Sequence, residues 1–435
     1  MRRRDFLKKT LTAAAGAVTL PYILPSGRLF AATGARKANH VVFCMFAGGV
    51  RNFESVQKAE GNLLRTMLNG TEPITSDIAA AMEPLPNSPF AQPLQNYGTL
   101  YKEFRYSTGP TGHYNGHTTA ITGTYTQVDL NIRDHPATPT IFEYYRKHNT
   151  SSQSAMNTWW VANNLGPYPA LNYSKDLNYG AAYGANFIAP TFLISPQGFD
   201  ALGNMKTFSS AEEAIVTNIK QYVNSNFALQ FLDNDAGIIN QAQDVKTLQN
   251  FILDKFNKAV SGQYVNPWNL ASANIMNNDM YNILFAEEII KEFKPELLVV
   301  NMQDVDACHS DFTGYCNNLR KADYAVAHLW ETIQNTPGMA NDTIMIVAPE
   351  HGRNLVPNSI VDAYGRKALD HSSDATSREI FCLVLGPPNV VKQNNVINSI
   401  KGESIDIVPT IANILGFDNS IAGQLQGSLL VDAFY

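Results

Sequence analysis

Apolar residues in this chain come in short unbroken runs separated by polar, glycine-containing segments, the pattern of strands buried on both faces. Asn39 to Phe46, Asn157 to Ala162, Glu296 to Gln303, Asn341 to Pro349 and Glu379 to Pro387 are such runs. Stretches with helical spacing lie between them. Glu54 to Leu68 is helix-like, and Thr140 to Lys147 follows Pro139, a residue suited to a helix start. Thr313 to Asn335 brings Leu319, Tyr324, Ala325, His328 and Leu329 near one stripe, which makes His328 a core or locally satisfied histidine. Ser404 to Gly416 has Asp406 and Pro409 near its start and Gly416 at its end. The alternation predicts an α/β fold, a mostly parallel central sheet flanked by helices. The rhythm weakens over about 168–278, where 209–263 contains amphipathic helices; a helical cap or insertion over the site is expected there.

The ends of the runs carry the chemistry. Glu296–Gln303 empties into Asp304-Val-Asp306-Ala-Cys-His309, and Asn341–Pro349 into Glu350-His351-Gly352, with His371 twenty residues beyond. Open parallel sheets bind ligands at the C-terminal edges of their strands. Carboxylates and imidazoles gathered from several loops suit Zn²⁺ or Mn²⁺ better than Ca²⁺, which prefers oxygen alone, and they do not exclude Mg²⁺. Two clusters suggest two ions. Asp304, Asp306 and Glu350 also suit helix capping, but capping explains none of His309, His351 or His371.

A third stretch, Thr108 to Gly123, leads from turn residues into a short helix. His113 and His117 are four apart there and share a helix face, a spacing that chelates a metal or leaves one or both rings in local hydrogen bonds. Arg51 and Arg353 flank turns after strands, where they either clamp an anionic ester or serve as surface charge.

Composition narrows the class. The chain has 435 residues, 45% of them hydrophobic, and a net charge of −6. Six of its 32 basic and one of its 38 acidic side chains fall in residues 1–35, leaving 26 against 37 in the remainder. That balance gives no reason to expect a nucleic-acid partner. Arg2-Arg3-Arg4-Asp5-Phe6-Leu7-Lys8, the apolar run Leu11 to Leu24 and the small residues 31–35 read as a signal peptide. Its consecutive arginines resemble the twin-arginine motif, which implies the twin-arginine export machinery as a partner and a periplasmic or extracellular mature protein, 36–435. No later run reaches about 18 apolar residues, so no stable membrane span is expected after cleavage. Of the four cysteines, Cys308 and Cys316 have a spacing that allows a small disulfide loop, and Cys44 and Cys382 read as buried thiols.

Together, the strand Val41 to Phe46, the Asp/His cluster at 304–309, Glu350-His351-Gly352 with His371, and the tail Asp406-Ile-Val-Pro-Thr-Ile-Ala-Asn-Ile-Leu-Gly416 resemble the alkaline phosphatase superfamily. The twin-arginine signal and Gly48-Gly49 look most like its exported sulfatase-like members. The resemblance implies an alkaline-phosphatase-like fold and two divalent ions, one held by Asp304 or Asp306 with His309 and His371, the other by Glu350 and His351. It also implies hydrolysis of phosphate or sulfate esters, with a small-molecule or glycan ester as substrate.

The chain departs from that pattern at several positions. Ala47 stands where the family has a ligand Asp, Glu350 replaces an Asp, and counting back from Thr122-Gly123 puts His113 at the nucleophile position. Two expectations follow. In one, His113 becomes a ligand or substrate contact, and an ion that acidifies its water makes a protein nucleophile unnecessary, with Thr111 as a weaker nucleophile candidate and His117 as a substrate contact. In the other, the second site is lost and the fold serves as a periplasmic binding or scaffold protein.

Overall fold

In the computed structural model, the run around Val41 is strand β1 (His40–Phe46), and all seven of its residues are buried. Its side chains alternate between two cores: Val42, Cys44 and Phe46 face one, Val41, Phe43 and Met45 the other. Burial on both faces explains the unbroken apolar sequence, and each large side chain so placed contributes roughly 1.5–3 kcal/mol. The structure describes residues 22–23, 29–30 and 35–435, apart from 59–60, 71–74, 128–133, 150–154, 163–167, nearly all of 195–241, and 373. Most of the expected signal peptide lies outside the described residues, as does most of the first half of the expected 209–263 helices.

The remaining strands of the central sheet are β2 (Gly98–Arg105), β3 (Thr158–Val161), β4 (Asn186–Ile188), β5 (Leu297–Met302), β6 (Thr343–Pro349), β7 (Glu379–Leu385) and β8 (Asn395–Glu403). Their order is β8-β2-β7-β6-β1-β5-β3-β4. Every neighbouring pair is parallel except those made by β7, which runs antiparallel to β2 and β6. The α/β class and the mostly parallel sheet expected from the sequence are what the chain forms. Six helices carry most of the packing against it: α1 (His113–Thr122), α2 (Ile141–His148), α3 (Ala242–Val260), α4 (Asn278–Phe293), α5 (Phe312–Asn335) and α6 (Ile407–Ile414). Helices α3, α4 and α5 contribute to one core, and α1, α2 and α6 to the other.

Register fixes where function can sit. Phe46 at the end of β1 pairs with both Met302 and Pro349, so β5, β1 and β6 stop at one level. The segments that follow them, 47–49, 303–309 and 350–353, therefore leave the sheet side by side.

Several elements differ from expectation. Glu54 to Leu68 is not an α-helix: a single 3-10 turn, Asn52–Glu54, gives way to a loop. Its backbone N–H groups at Thr66 and Met67 donate to the Asp323 carboxylate of α5, both at 2.8 Å, so a buried acid takes donors that a helix would use internally. Strands β2 and β8 were not anticipated. β8 lies at a sheet edge and is largely exposed, so its sequence has little apolar signal. Within 168–278, Asn186–Ile188 is a sheet edge strand, and α3 places Phe251 against Trp159, Phe285 and Phe293. All four cysteines are free and buried, so Cys308 and Cys316 are not joined.

Candidate metal centre

The site grows from the level strand ends. After β5, the chain turns through a 3-10 helix, Asp304–His309, which points Asp306 and His309 across the sheet edge. After β6 come Glu350 and His351, both fully buried, with Glu350 N–H donating to the Phe46 carbonyl at 3.1 Å. The turn after β1 must pass His351 closely: Gly49 has φ +78°, and a Cβ there would lie 2.5 Å from His351 Nδ1. Helix α1 approaches from the other side, and Gly116 lets it; a Cβ at 116 would come within 2.9 Å of Glu350 Cβ.

These elements bring His113, Asp306, His309 and His371 together, with ligand atoms within 4.8 Å of one another. A second group, His113, Glu350 and His351, shares His113 with the first. His113 Nε2 lies 3.2 Å and His309 Nε2 3.3 Å from the same oxygen, Asp306 Oδ1. The opposite nitrogen of each ring is engaged elsewhere. His113 Nδ1 donates to Glu350 Oε1 at 2.8 Å, His309 Nδ1 to Asp370 Oδ1 at 2.7 Å, and His371 Nδ1 to the Thr111 carbonyl. His351 Nδ1 donates to the Gly352 carbonyl at 2.8 Å, and its ring stacks on His371 with centroids 4.2 Å apart.

Electrostatics keep this donor set ready for a cation. Burial lowers the His371 pKa, as does the positive charge of neighbouring imidazoles and Arg353, and burial likewise lowers that of His351. Both rings are therefore neutral, with lone pairs available. Burial alone would raise the Glu350 carboxyl, but His117, His351 and His113 around it hold it well below the usual range. Asp306 is likewise held low against its burial by His113, His309 and Arg353. Burial works against a charged His113, yet Glu350 and Asp306 outweigh it and push its pKa up to about 10. Without an ion, the imidazolium is the cation between the two acids. The buried Nε2 of His371 has no hydrogen-bond partner, whereas that of His351 lies 3.3 Å from Glu350 Oε1. An orphaned acceptor such as that of His371 fits a metal ion, because leaving it unpaired is costly.

The other sequence candidates fall around this cluster. Asp304 turns away from it: its carboxylate accepts from Asn278 Nδ2 and Asp279 N–H, while Asp279 accepts from the Gln303 and Asp304 N–H groups. That reciprocal brace holds the start of α4, a helix earlier in the chain, rather than capping the turn that follows Asp304. The Thr111 hydroxyl donates to the His371 carbonyl, so Thr111 positions His371 through two contacts. His117 is fully buried beneath Glu350, with Nδ1 against the His113 carbonyl and Glu350 Oε2, and Nε2 3.0 Å from the Asn301 amide. Arg353 donates to Asp306 Oδ1 at 2.7 Å, to the Leu369 carbonyl at 3.0 Å and to the Gly48 carbonyl. Arg51 is buried in an ion pair with Glu54, whose Oε2 also accepts from Tyr315. It is an internal strut rather than a surface charge.

Two participants were missed. Asp370 orients His309, and its adjacency to His371 was the available signal. Asn301 fixes the His117 ring; an amide near the end of the apolar run Leu297–Met302 was a visible interruption. The mouth of the cluster opens on the side of His113, Asp306 and His309, whose side chains are 20%, 28% and 38% exposed.

No protein-family model matches the chain, and no curated protein does. Among solved structures, it is similar to a protein in the alkaline phosphatase superfamily from Vibrio parahaemolyticus, with 12% identity over 97% of this chain and 79% of that one, and a TM-score of 0.43. It is also similar to the lipoteichoic acid synthase LtaP from Listeria monocytogenes (12% identity, 94% of this chain and 78% of that one, TM-score 0.45). A third similar structure is a putative sulfatase from Bacteroides thetaiotaomicron (10% identity, 91% of this chain and 74% of that one, TM-score 0.44).

Proposed function

We propose that this protein is an exported, metal-dependent hydrolase of phosphate or sulfate esters, acting on a small-molecule or glycan ester in the periplasm or outside the cell. The observation that carries the reading is the set of imidazoles around Asp306. Three rings have one nitrogen fixed by a carboxylate or carbonyl, the arrangement that orients metal-ligating histidines. His113, Asp306, His309 and His371 would hold an ion, and Glu350 and His351 are the further candidates. A bound divalent ion supplies Lewis acidity and acidifies water. Arg353 holds Asp306 in place and adds positive charge beneath the cluster. His309, on the open side, meets an entering ester first.

Export through the twin-arginine route rests on the N-terminal sequence. No helix among the described residues is long and apolar enough to cross a membrane.

Two observations favour the alternative, a binding or scaffold protein: the Thr111 hydroxyl is engaged, and all four cysteines are buried away from solvent. The two readings separate on turnover. Purified mature protein is given 4-nitrophenyl phosphate, 4-nitrophenyl sulfate and a glycan-ester panel, with and without chelator. The hydrolase reading expects chelator-sensitive turnover that His309→Ala abolishes. Ligand binding without turnover on any ester would favour the alternative.

A further inference from the structure

We infer that the cluster holds one ion rather than two. Its ligands are His113 Nε2, Asp306 Oδ1, His309 Nε2 and His371 Nε2, and Glu350 is the carboxylate that orients His113. This inference rests on reading the cluster as a metal centre. Its first support is the consistency of the three rings. Each has Nδ1 engaged, by Glu350, Asp370 or the Thr111 carbonyl, and each leaves Nε2 for the Asp306 side. In histidines that bind metals, one nitrogen ligates and the other donates to such a partner. His371 is 7% exposed and its Nε2 has no protein partner, so this buried lone pair points to a missing ligand.

The second support is what the other group lacks. A second ion beside Glu350 and His351 would have to share His113, whose Nδ1 is already engaged by Glu350 Oε1 and whose Nε2 faces Asp306. Glu350 already has His113, His117 and His351 within ion-pair distance. Arg353 adds a guanidinium against Asp306 on the same side. The charge balance there is met by side chains, and Glu350 and His351 are fully buried, away from the mouth.

The test counts ions. Mature protein is stripped with chelator, dialysed, and titrated calorimetrically with Mn²⁺ alone and with Zn²⁺ alone, and bound metal is measured by elemental analysis. The inference expects one ion per chain. His309→Ala should weaken binding by about 100-fold or more. Asp370→Asn, at a half-exposed orienting residue, should weaken it by about 10- to 100-fold with the count unchanged. His351→Gln should still bind one ion. Two ions in the parent, or an ion lost in a folded His351→Gln variant, overturns the inference and leaves the hydrolase reading standing. No ion in the parent overturns both the inference and the metal dependence of the proposed function. One ion without ester turnover supports the inference while removing the hydrolase reading. The parent count decides the matter even where a buried variant fails to fold.

Discussion

His113 Nδ1 lies 2.8 Å from Glu350 Oε1, a carboxylate oxygen that no solvent reaches. The other nitrogen of the ring lies 3.2 Å from Asp306, so one imidazolium bridges two acids when no ion is present. Removing it strands a buried charge. In chelator, His113→Ala should lose about 3–5 kcal/mol of unfolding free energy, the usual cost of breaking a buried pair from one side. Urea denaturation of the two ion-free proteins measures it; a loss below about 1 kcal/mol would mean that Glu350 is neutral or otherwise compensated.

Asp304 and Asp306 are two residues apart but do different work, and substitution should separate them. Asp304→Ala removes the brace at the start of α4 and should cost about 1 kcal/mol, as lost caps do, with ion content unchanged. Asp306→Ala should abolish ion binding. Thermal unfolding together with metal analysis on both variants checks the division, and an Asp304→Ala protein that loses its ion would refute it.

Gly116 is required by contact rather than by conformation. An added methyl meets Glu350 Cβ at 2.9 Å, and both α1 and the end of β6 are buried, so neither yields freely. Gly116→Ala should destabilise the fold by about 1–3 kcal/mol, as overpacking does, despite alanine's better helix propensity. It should also weaken ion binding by displacing His113. A variant as stable as the parent would show that the helix shifts without strain.

His328 offers a pH test far from the cluster. It stacks on Trp268 with ring centroids 4.8 Å apart and an interplanar angle of 10°. Burial, with a smaller effect from Lys291, pushes its pKa down from 6.5 to about 4. Because the folded value is lower, the unfolded chain binds the extra proton first between these limits. The stability contribution is therefore complete above about pH 6.5 and is lost as pH falls through 4, by about 3 kcal/mol at most. His328→Gln should flatten that part of the pH–stability curve. Parallel parent and variant curves between pH 4 and 6.5 would contradict the assignment.

The sequence revealed what local pattern controls. The continuous apolar runs announced β1, β5, β6 and β7, because burial on both faces removes polar interruptions. The residues just beyond the runs announced Asp306, His309, Glu350 and His351, because strand ends in parallel sheets share an edge. Long-range contacts were not legible. Asp323 receives Thr66 and Met67 from more than 250 positions away, and that contact turns a helix-like sequence into a loop. Asp304 and Asp306 looked equivalent until the path of α4 separated them. The place of His371 beside Thr111 joins chain segments 260 residues apart, and no spacing rule reports it.

The most direct test of the account is anomalous diffraction from crystals of the mature protein grown with Mn²⁺. The account predicts an anomalous peak bounded by His113 Nε2, Asp306 Oδ1, His309 Nε2 and His371 Nε2. A map with no peak in the cluster, or with a peak held by Glu350 and His351 instead, would contradict it.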